Sequence, residues 1–118
     1  MTELTLATGA EVRLTGPCDG TVVLCVNGGT AREMAGTWSS SVEHLVRGLV
    51  PRHPELGFAE VKYRIRSWKK LDWCIEDAQA AITASVAAGA DEIVLLGYSM
   101  GGAVCSQIAD HMSVRHVI

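Results

Sequence analysis

Ser99 lies in a segment whose residue types and spacing could perform nucleophilic chemistry. Gly97-Tyr98-Ser99-Met100-Gly101 matches the pattern GxSxG, with a buried-type apolar run before it and a helical pattern after it. In such a strand-to-helix turn the serine hydroxyl projects from the carboxyl edge of the sheet, where ligands bind in open α/β folds. The amino terminus of the following helix favours developing negative charge. We therefore predict that Ser99 is a nucleophile.

Glycines around Ser99 would make so sharp a turn possible. Residues two before and two after the serine crowd neighbouring backbone, so glycine is needed at both Gly97 and Gly101. Gly102 is expected to extend this clearance into the first turn of the helix. A chance glycine-rich turn is the alternative explanation. A second glycine loop earlier in the chain, at 27–30, argues against that alternative.

The elements that position this turn alternate between strands and helices. The first two strands suit an antiparallel hairpin at a sheet edge, whereas the third is continuously apolar, as in a strand covered on both faces. Ser40 and Glu43 are expected to form a capping box at the start of the first helix. The alternation indicates βαβ units and an α/β fold with a mostly parallel sheet and flanking helices. Strands are predicted at 4–8, 12–15, 21–26, 59–65, 93–96 and 114–118, and helices at 40–49, 72–88 and 101–112.

In its motifs and element order the whole chain resembles the α/β-hydrolase family of serine esterases, lipases and thioesterases. The run GYSMGG at 97–102 is a specific form of the elbow that carries the nucleophile in that family. Loop 27–30 matches the family's glycine loop, although Asn27 stands where His is commoner. The resemblance implies an oxyanion hole made by the backbone N–H groups of Gly29 and Met100, with Thr30 as the second choice in the loop.

The same resemblance implies hydrolysis of carboxylic esters or thioesters through a Ser99 acyl-enzyme. Relatives that displace halide or open epoxides have Asp at the elbow, so serine favours acyl transfer. No cofactor or metal is implied, and the expected partner is a small-molecule ester or thioester.

The acid and histidine that complete a serine triad are not assigned in this chain. In the resembled family they follow the nucleophile, in the order Ser, Asp or Glu, His. Asp110 and His111 lie near the far end of a predicted helix that is ~18 Å long, and His116 lies in the next strand. We therefore expect 1–118 to be one truncated α/β-hydrolase domain, the amino-terminal half, with little turnover by itself. A non-catalytic interaction module with the same fold is the alternative.

Other groups of residues have two interpretations each. A basic cluster could bind an acidic substrate group, but we interpret it as solvated. Three tryptophans could line an acyl pocket or pack in the core. His44 is interpreted as a surface residue. The cluster consists of Arg64, Arg66, Lys69 and Lys70, and the tryptophans are Trp38, Trp68 and Trp73.

Composition excludes several classes of function. The 118 residues carry a formal charge of −3 that is spread along the chain, which gives no electrostatic footprint for nucleic acid or an anionic membrane. The chain has neither a GxGxxG after its first parallel strand nor a GK[ST], so nucleotide binding is disfavoured. No long apolar window or basic leader is present, which makes the cytoplasm the default location. The four cysteines form no CxxC pair and are expected to be reduced and mostly buried.

Overall fold

Six strands form a single sheet in the computed structural model, which describes residues 1–118. The spatial order is β1-β2-β4-β3-β5-β6. β1 and β2 form an antiparallel hairpin at one edge, β2 also pairs antiparallel with β4, and the last four strands run parallel to one another. The predicted α/β fold with a mostly parallel sheet is confirmed. The strands are β1 Thr2–Thr5, β2 Glu11–Thr15, β3 Thr21–Val26, β4 Gly57–Lys62, β5 Glu92–Gly97 and β6 Val114–Val117.

Helices cover both faces of this sheet because the central strand is apolar on both sides. Side chains alternate along β3, so Val22, Leu24 and Val26 join a large core cluster, while Val23 and Cys25 join a smaller one. The large cluster packs under α2 and α3, and the smaller one packs under α1. No helix combines the length and apolarity needed to cross a bilayer. The helices are α1 Ser40–Leu49, α2 Leu71–Ala87 and α3 Met100–Ile108, and a 3₁₀ turn, Trp68–Lys70, precedes α2.

The pairing of β3 with β5 places two loops side by side at one edge of the sheet. Val26, the last residue of β3, is aligned with Gly97, the last residue of β5. The glycine loop that follows Val26 and the Ser99 turn that follows Gly97 therefore emerge together, at the carboxyl edge where open α/β sheets bind ligands.

Several element boundaries differ from those predicted. β1 ends at Thr5, because the chain turns through hydrogen bonds that join Leu6 and Ala10 (2.7 Å) and Gly9 and Leu6 (2.9 Å). β4 spans Gly57–Lys62, not 59–65, so the residues after Lys62 already belong to the loop. α3 ends at Ile108, not at 112, since the N–H of His111 bonds the Ile108 carbonyl in a tighter turn at 3.2 Å.

The predicted capping box at the start of α1 is wrong. Ser39 is the N-cap, and its Oγ accepts a hydrogen bond from the N–H of Val42 at 3.3 Å. Glu43 instead accepts from Arg13 Nη2 at 2.8 Å. Arg13 is itself buried and is held by both carboxylate oxygens of Glu60 at 2.9 and 3.1 Å. A buried guanidinium is stabilised by such partners. Glu43 therefore pairs with Arg13 and does not cap the helix.

All four cysteines are free thiols, as expected. Cys25, Cys74 and Cys105 are buried, and Cys18 is half-buried. Desolvation raises the pKa of each buried thiol: to about 12 for Cys25 and to about 11 for Cys74 and Cys105. These side chains are therefore protonated near neutral pH and pack as small apolar groups. No cluster of three or more His, Cys, Asp or Glu side chains is placed to hold a metal ion.

Candidate active site

Ser99 occupies the turn that joins β5 to α3, in a backbone conformation that side chains rarely adopt. Its φ is 55° and its ψ is −122°, and it is the one non-glycine residue with positive φ. Three backbone hydrogen bonds hold the turn: Tyr98 N to Val26 O at 3.0 Å, Gly101 N to Tyr98 O at 2.9 Å and Gly102 N to Ser99 O at 2.9 Å. This conformation is the strained strand-to-helix elbow that displays a nucleophilic serine in GxSxG proteins.

The glycines of the elbow differ in how closely backbone approaches them. A Cβ placed on Gly97 would lie 2.7 Å from the Cα of Gly102, and one placed on Gly101 would lie 1.9 Å from the carbonyl oxygen of Val26. Both positions therefore exclude a side chain. At Gly102 a Cβ would meet no atom within 4 Å. The expectation that the turn needs glycine at position 102 is thus wrong, because a side chain there would not clash.

The glycine loop after β3 lies directly against the elbow. A Cβ on Gly28 would lie 3.1 Å from the Cβ of Ser99 and 3.5 Å from its Oγ. A Cβ on Gly29 would overlap the Met100 side chain, 2.5 Å from Sδ. The backbone N–H groups of Gly29 and Met100 donate no hydrogen bond within the protein. Both proposed oxyanion donors are thus free and lie on segments in contact with each other.

Thr30, the second choice for the loop, is engaged in holding that loop in place. Its hydroxyl lies 2.6 Å from the carbonyl oxygen of Arg32 and 3.0 Å from that of Arg66. Its own carbonyl accepts from the N–H of Trp68 at 3.0 Å. These bonds tie the glycine loop to the segment after β4.

Asn27 stands at the start of the glycine loop and is only 2% exposed. Its carbonyl accepts a 2.8 Å hydrogen bond from the buried phenol of Tyr63, and its Nδ2 donates to the carbonyl of Thr37 at 3.4 Å. Burial raises the pKa of Tyr63, so the phenol stays protonated and keeps its donor role. Oδ1 of Asn27 has no partner. Asn27 therefore anchors the loop and carries one acceptor that no protein group uses.

A polar cavity of about 410 Å³ opens over Ser99. This volume is in the range of small-molecule sites in proteins. Trp38 is one of the lining residues, and the guanidinium carbon of Arg13 lies over its ring, 4.3 Å from the ring centroid. The cavity is lined by the glycine loop, the start of α1 and the elbow, namely Asn27, Gly28, Gly29, Thr37, Trp38, Ser39, Ser40, Ser41, Arg66, Tyr98 and Ser99.

The other two tryptophans lie elsewhere. Trp68 is half-exposed and does not line the cavity. The ring of Trp73 packs against the cationic groups of Arg64 at 4.5 Å and Lys70 at 4.4 Å. Only Trp38 therefore fits the expectation that a tryptophan lines a pocket at the nucleophile.

The prediction that the basic cluster is simply solvated is wrong for Arg64, Arg66 and Lys70, the last of which contacts the Trp73 ring and lies 3.7 Å from Glu33. Nε of Arg64 forms a 2.8 Å ion pair with Asp77, a carboxylate that is fully buried, and Nη2 of Arg64 contacts Glu76 at 3.0 Å. Arg66 lines the Ser99 cavity, and its Nε is buried without a partner. Sequence reasoning missed both features, because the ion pair and the cavity each join segments that are separate along the chain.

No imidazole or carboxylate contacts the hydroxyl of Ser99, which makes no side-chain hydrogen bond. Asp110 and His111 follow the carboxyl end of α3, roughly 13 Å along the helix axis from the elbow. His116 is exposed on β6 and pairs with Val94. His44 lines a separate, mainly apolar cavity of about 400 Å³. The described residues thus hold a displayed serine and free backbone donors but no base.

Comparison with solved structures identifies the fold as that of α/β hydrolases. A hydrolase from Novosphingobium aromaticivorans superposes with a TM-score of 0.66 at 17% identity, over 98% of this chain and 41% of its own. An esterase from Exiguobacterium antarcticum superposes with a TM-score of 0.62 at 16% identity, over 98% of this chain and 43% of its own. The predicted resemblance to this fold is confirmed.

A serine hydrolase without a lid from Xanthomonas campestris gives a TM-score of 0.64 at 18% identity, over 98% of this chain and 59% of its own. The chain thus spans between about two fifths and three fifths of these proteins. No family model matches the sequence. No curated protein matches it either.

Proposed function

We propose that this chain is the amino-terminal part of a serine hydrolase that cleaves carboxylic esters or thioesters through a Ser99 acyl-enzyme. The conformation of Ser99 carries the proposal, because a φ of 55° at a strand-to-helix turn is costly and is expected where a side chain must be displayed. The cavity over the serine supplies room for a substrate, and two free backbone donors lie on the adjoining segments.

In the proposed reaction, Oγ of Ser99 attacks the carbonyl carbon of the substrate and its proton passes to a base. The carbonyl oxygen becomes an oxyanion that accepts hydrogen bonds from the N–H groups of Gly29 and Met100, and the alcohol or thiol then leaves with a proton. Water hydrolyses the acyl-enzyme by the same steps. Loss of one such donor lowers turnover by ~10²–10³ in comparable sites.

The base and its orienting acid are proposed to come from residues beyond this chain. Nothing within 1–118 contacts the Ser99 hydroxyl as a base, and the compared hydrolases are longer. A serine hydroxyl without a base is a weak nucleophile near neutral pH. We therefore expect little turnover from these residues alone.

Labelling by a fluorophosphonate probe tests the proposal. We expect a longer chain read from the adjoining coding sequence to label, its Ser99→Ala variant not to label, and residues 1–118 alone to label weakly or not at all. Ser106→Ala is the matched control, because it removes the same hydroxyl from an exposed position on α3 outside the cavity. If a folded longer chain does not label, the hydrolase proposal is wrong and the non-catalytic interaction module takes its place.

We also propose a cytoplasmic location. Four free thiols, three of them buried in the core, suit a reducing compartment. Alkylation of the denatured protein directly after cell lysis is expected to modify all four cysteines, and a protected pair would contradict this location.

A further inference from the structure

Arg66 is a half-buried cation without a counter-ion. Its side chain forms no ion pair, and its Nε has no hydrogen-bond partner. The two other arginines that are at least half-buried are each held by two carboxylates, Arg13 by Glu60 and Glu43 and Arg64 by Asp77 and Glu76. Removing a guanidinium from water is costly unless an anion compensates it. The position of Arg66 therefore suits a counter-ion that is not one of residues 1–118.

Hydrogen bonds fix the backbone of Arg66 and so hold this residue at the cavity. Its N–H donates to the carbonyl of Met34 at 2.7 Å, and its carbonyl accepts from the hydroxyl of Thr30 at 3.0 Å. These bonds attach Arg66 to the same loop that carries Gly29. The cation and the proposed oxyanion donor are thus parts of one structural unit.

The rest of the cavity also favours an anion. Its lining includes no Asp or Glu, so Arg66 is its only charged residue. The amino terminus of α1 opens into it through Ser39, Ser40 and Ser41, and the backbone N–H groups of Ser40 and Ser41 donate no hydrogen bond. Unpaired N–H groups at the start of a ten-residue helix attract negative charge.

A second buried polar atom indicates that the cavity is built for a polar ligand. Oδ1 of Asn27 is unpaired and buried, and Asn27, which is 2% exposed, is one of the residues that line the cavity with Arg66 and Ser99. Buried polar atoms are rarely left without partners. Asn27 and Arg66 thus each line the cavity and each carry one unpaired buried atom, an acceptor and a donor, which suits a ligand with an anion and a hydroxyl or N–H group.

We propose that Arg66 and the amino terminus of α1 bind a carboxylate on the substrate, so that the preferred esters or thioesters carry a negative charge beside the scissile bond. Half-esters of dicarboxylic acids are the simplest members of this class. The inference rests on the proposed hydrolase function, since it names the substrate class of that site. Arg66 is thus the specificity-determining residue of the cavity.

Binding to a variant that cannot react tests this proposal separately from catalysis. The Ser99→Ala variant, in the longest form that the coding sequence encodes, is titrated with monomethyl succinate and with dimethyl succinate, and the shifts of backbone amide signals are followed by NMR. We expect the monoanion to bind at least about tenfold more tightly than the neutral diester, because hydrogen bonds to charged groups are the stronger ones.

Variants at Arg66 assign the preference to its charge. Arg66→Gln is expected to bring the affinity ratio close to one, and Arg66→Lys is expected to keep part of it. Lys69→Gln is the matched control, because it removes the same charge from an exposed neighbouring position outside the cavity. The amide spectrum of each variant reports whether it is folded. If an Arg66 variant does not fold, the comparison of the two esters on the Ser99→Ala variant still tests the proposal.

Equal affinity for the two esters, no saturable binding of the monoanion, or an unchanged ratio in folded Arg66→Gln would each overturn the inference. Charge-selective binding without fluorophosphonate labelling of the Ser99 protein would reject the hydrolase proposal while leaving an anion site. Labelling without charge-selective binding would reject the anion site while leaving the hydrolase proposal.

Discussion

At the scale of single residues, the elbow depends on backbone that leaves no room for side chains. Ser99 sits at a positive φ that costs about 1–3 kcal/mol for a non-glycine residue. The turn persists because Tyr98 N–H donates a hydrogen bond to the Val26 carbonyl, and because Gly97 and Gly101 allow close approach of β5 to α3 and of α3 to the end of β3. Display of the hydroxyl is therefore maintained by neighbours and not by Ser99 itself.

Alanine substitutions at two adjacent glycines test this account. Gly101→Ala places a Cβ 1.9 Å from the Val26 carbonyl oxygen. Because overpacking typically costs ~1–3 kcal/mol, we expect the free energy of unfolding to fall by about 2 kcal/mol or more. We also expect the longer chain to lose probe labelling. Gly102→Ala meets no atom within 4 Å on a helix and should be neutral or stabilising by up to about 1 kcal/mol. Urea unfolding measures both, and equal effects would contradict the steric explanation.

At the scale of elements, α2 is fixed to the segment after β4 by a buried carboxylate. Asp77 is fully buried on α2, whereas the apolar Val86 on the same helix is 38% exposed. Asp77 accepts from both the backbone N–H and the Nε of Arg64, at 3.0 and 2.8 Å. The buried face of α2 therefore includes a charged side chain, which Arg64 neutralises.

The two carboxylates that contact Arg64 should differ in their contribution to stability. Asp77→Ala leaves the Arg64 guanidinium and backbone N–H without their buried acceptor, so we expect the free energy of unfolding to fall by about 3 kcal/mol or more. Glu76→Ala removes a carboxylate that is 56% exposed, and a loss of less than about 1 kcal/mol is expected. Urea denaturation followed by circular dichroism measures the difference, and similar losses for the two variants would argue against a structural role for Asp77.

At the scale of the whole molecule, buried thiols on both sides of the sheet link stability to alkaline pH. Burial raises the pKa of Cys25 to about 12 and the pKa of Cys105 to about 11. In the unfolded chain a thiol ionises near about pH 8.5. Above that pH the unfolded state binds fewer protons than the folded state, so the free energy of unfolding falls as pH rises. The stabilisation that each buried protonated thiol contributes is therefore fully present below about pH 8.5 and is lost as the pH rises to the pKa of the folded state.

This linkage predicts a measurable slope. Each buried thiol should contribute up to about 1.4 kcal/mol of lost stability per pH unit between about pH 9 and 11. Cys25→Ala should reduce the slope by nearly that amount, whereas Cys18→Ala, which removes a half-buried thiol, should reduce it less. Urea unfolding at a series of pH values under reducing conditions measures the slope, and identical slopes for the two variants would disprove the assignment.

The sequence by itself determined the order of elements, the elbow and the glycine loop. These features depend on residues close together in the chain: the apolar run of β3, the glycines that flank Ser99, and Gly28 and Gly29 directly after a strand. Local periodicity and the sterics of glycine can be interpreted without knowing what packs where. The fold could therefore be predicted, and Ser99 put forward as the candidate nucleophile, before any contact was known.

Only the tertiary structure decided which polar side chains are paired and which are free. Arg64 with Asp77 and Arg13 with Glu60 are joined across elements, whereas Arg66 faces the Ser99 cavity without an anion. In the sequence these arginines look alike. Their roles differ because burial and ion pairing depend on the distances between segments that are far apart in the chain, which residue type and spacing do not specify.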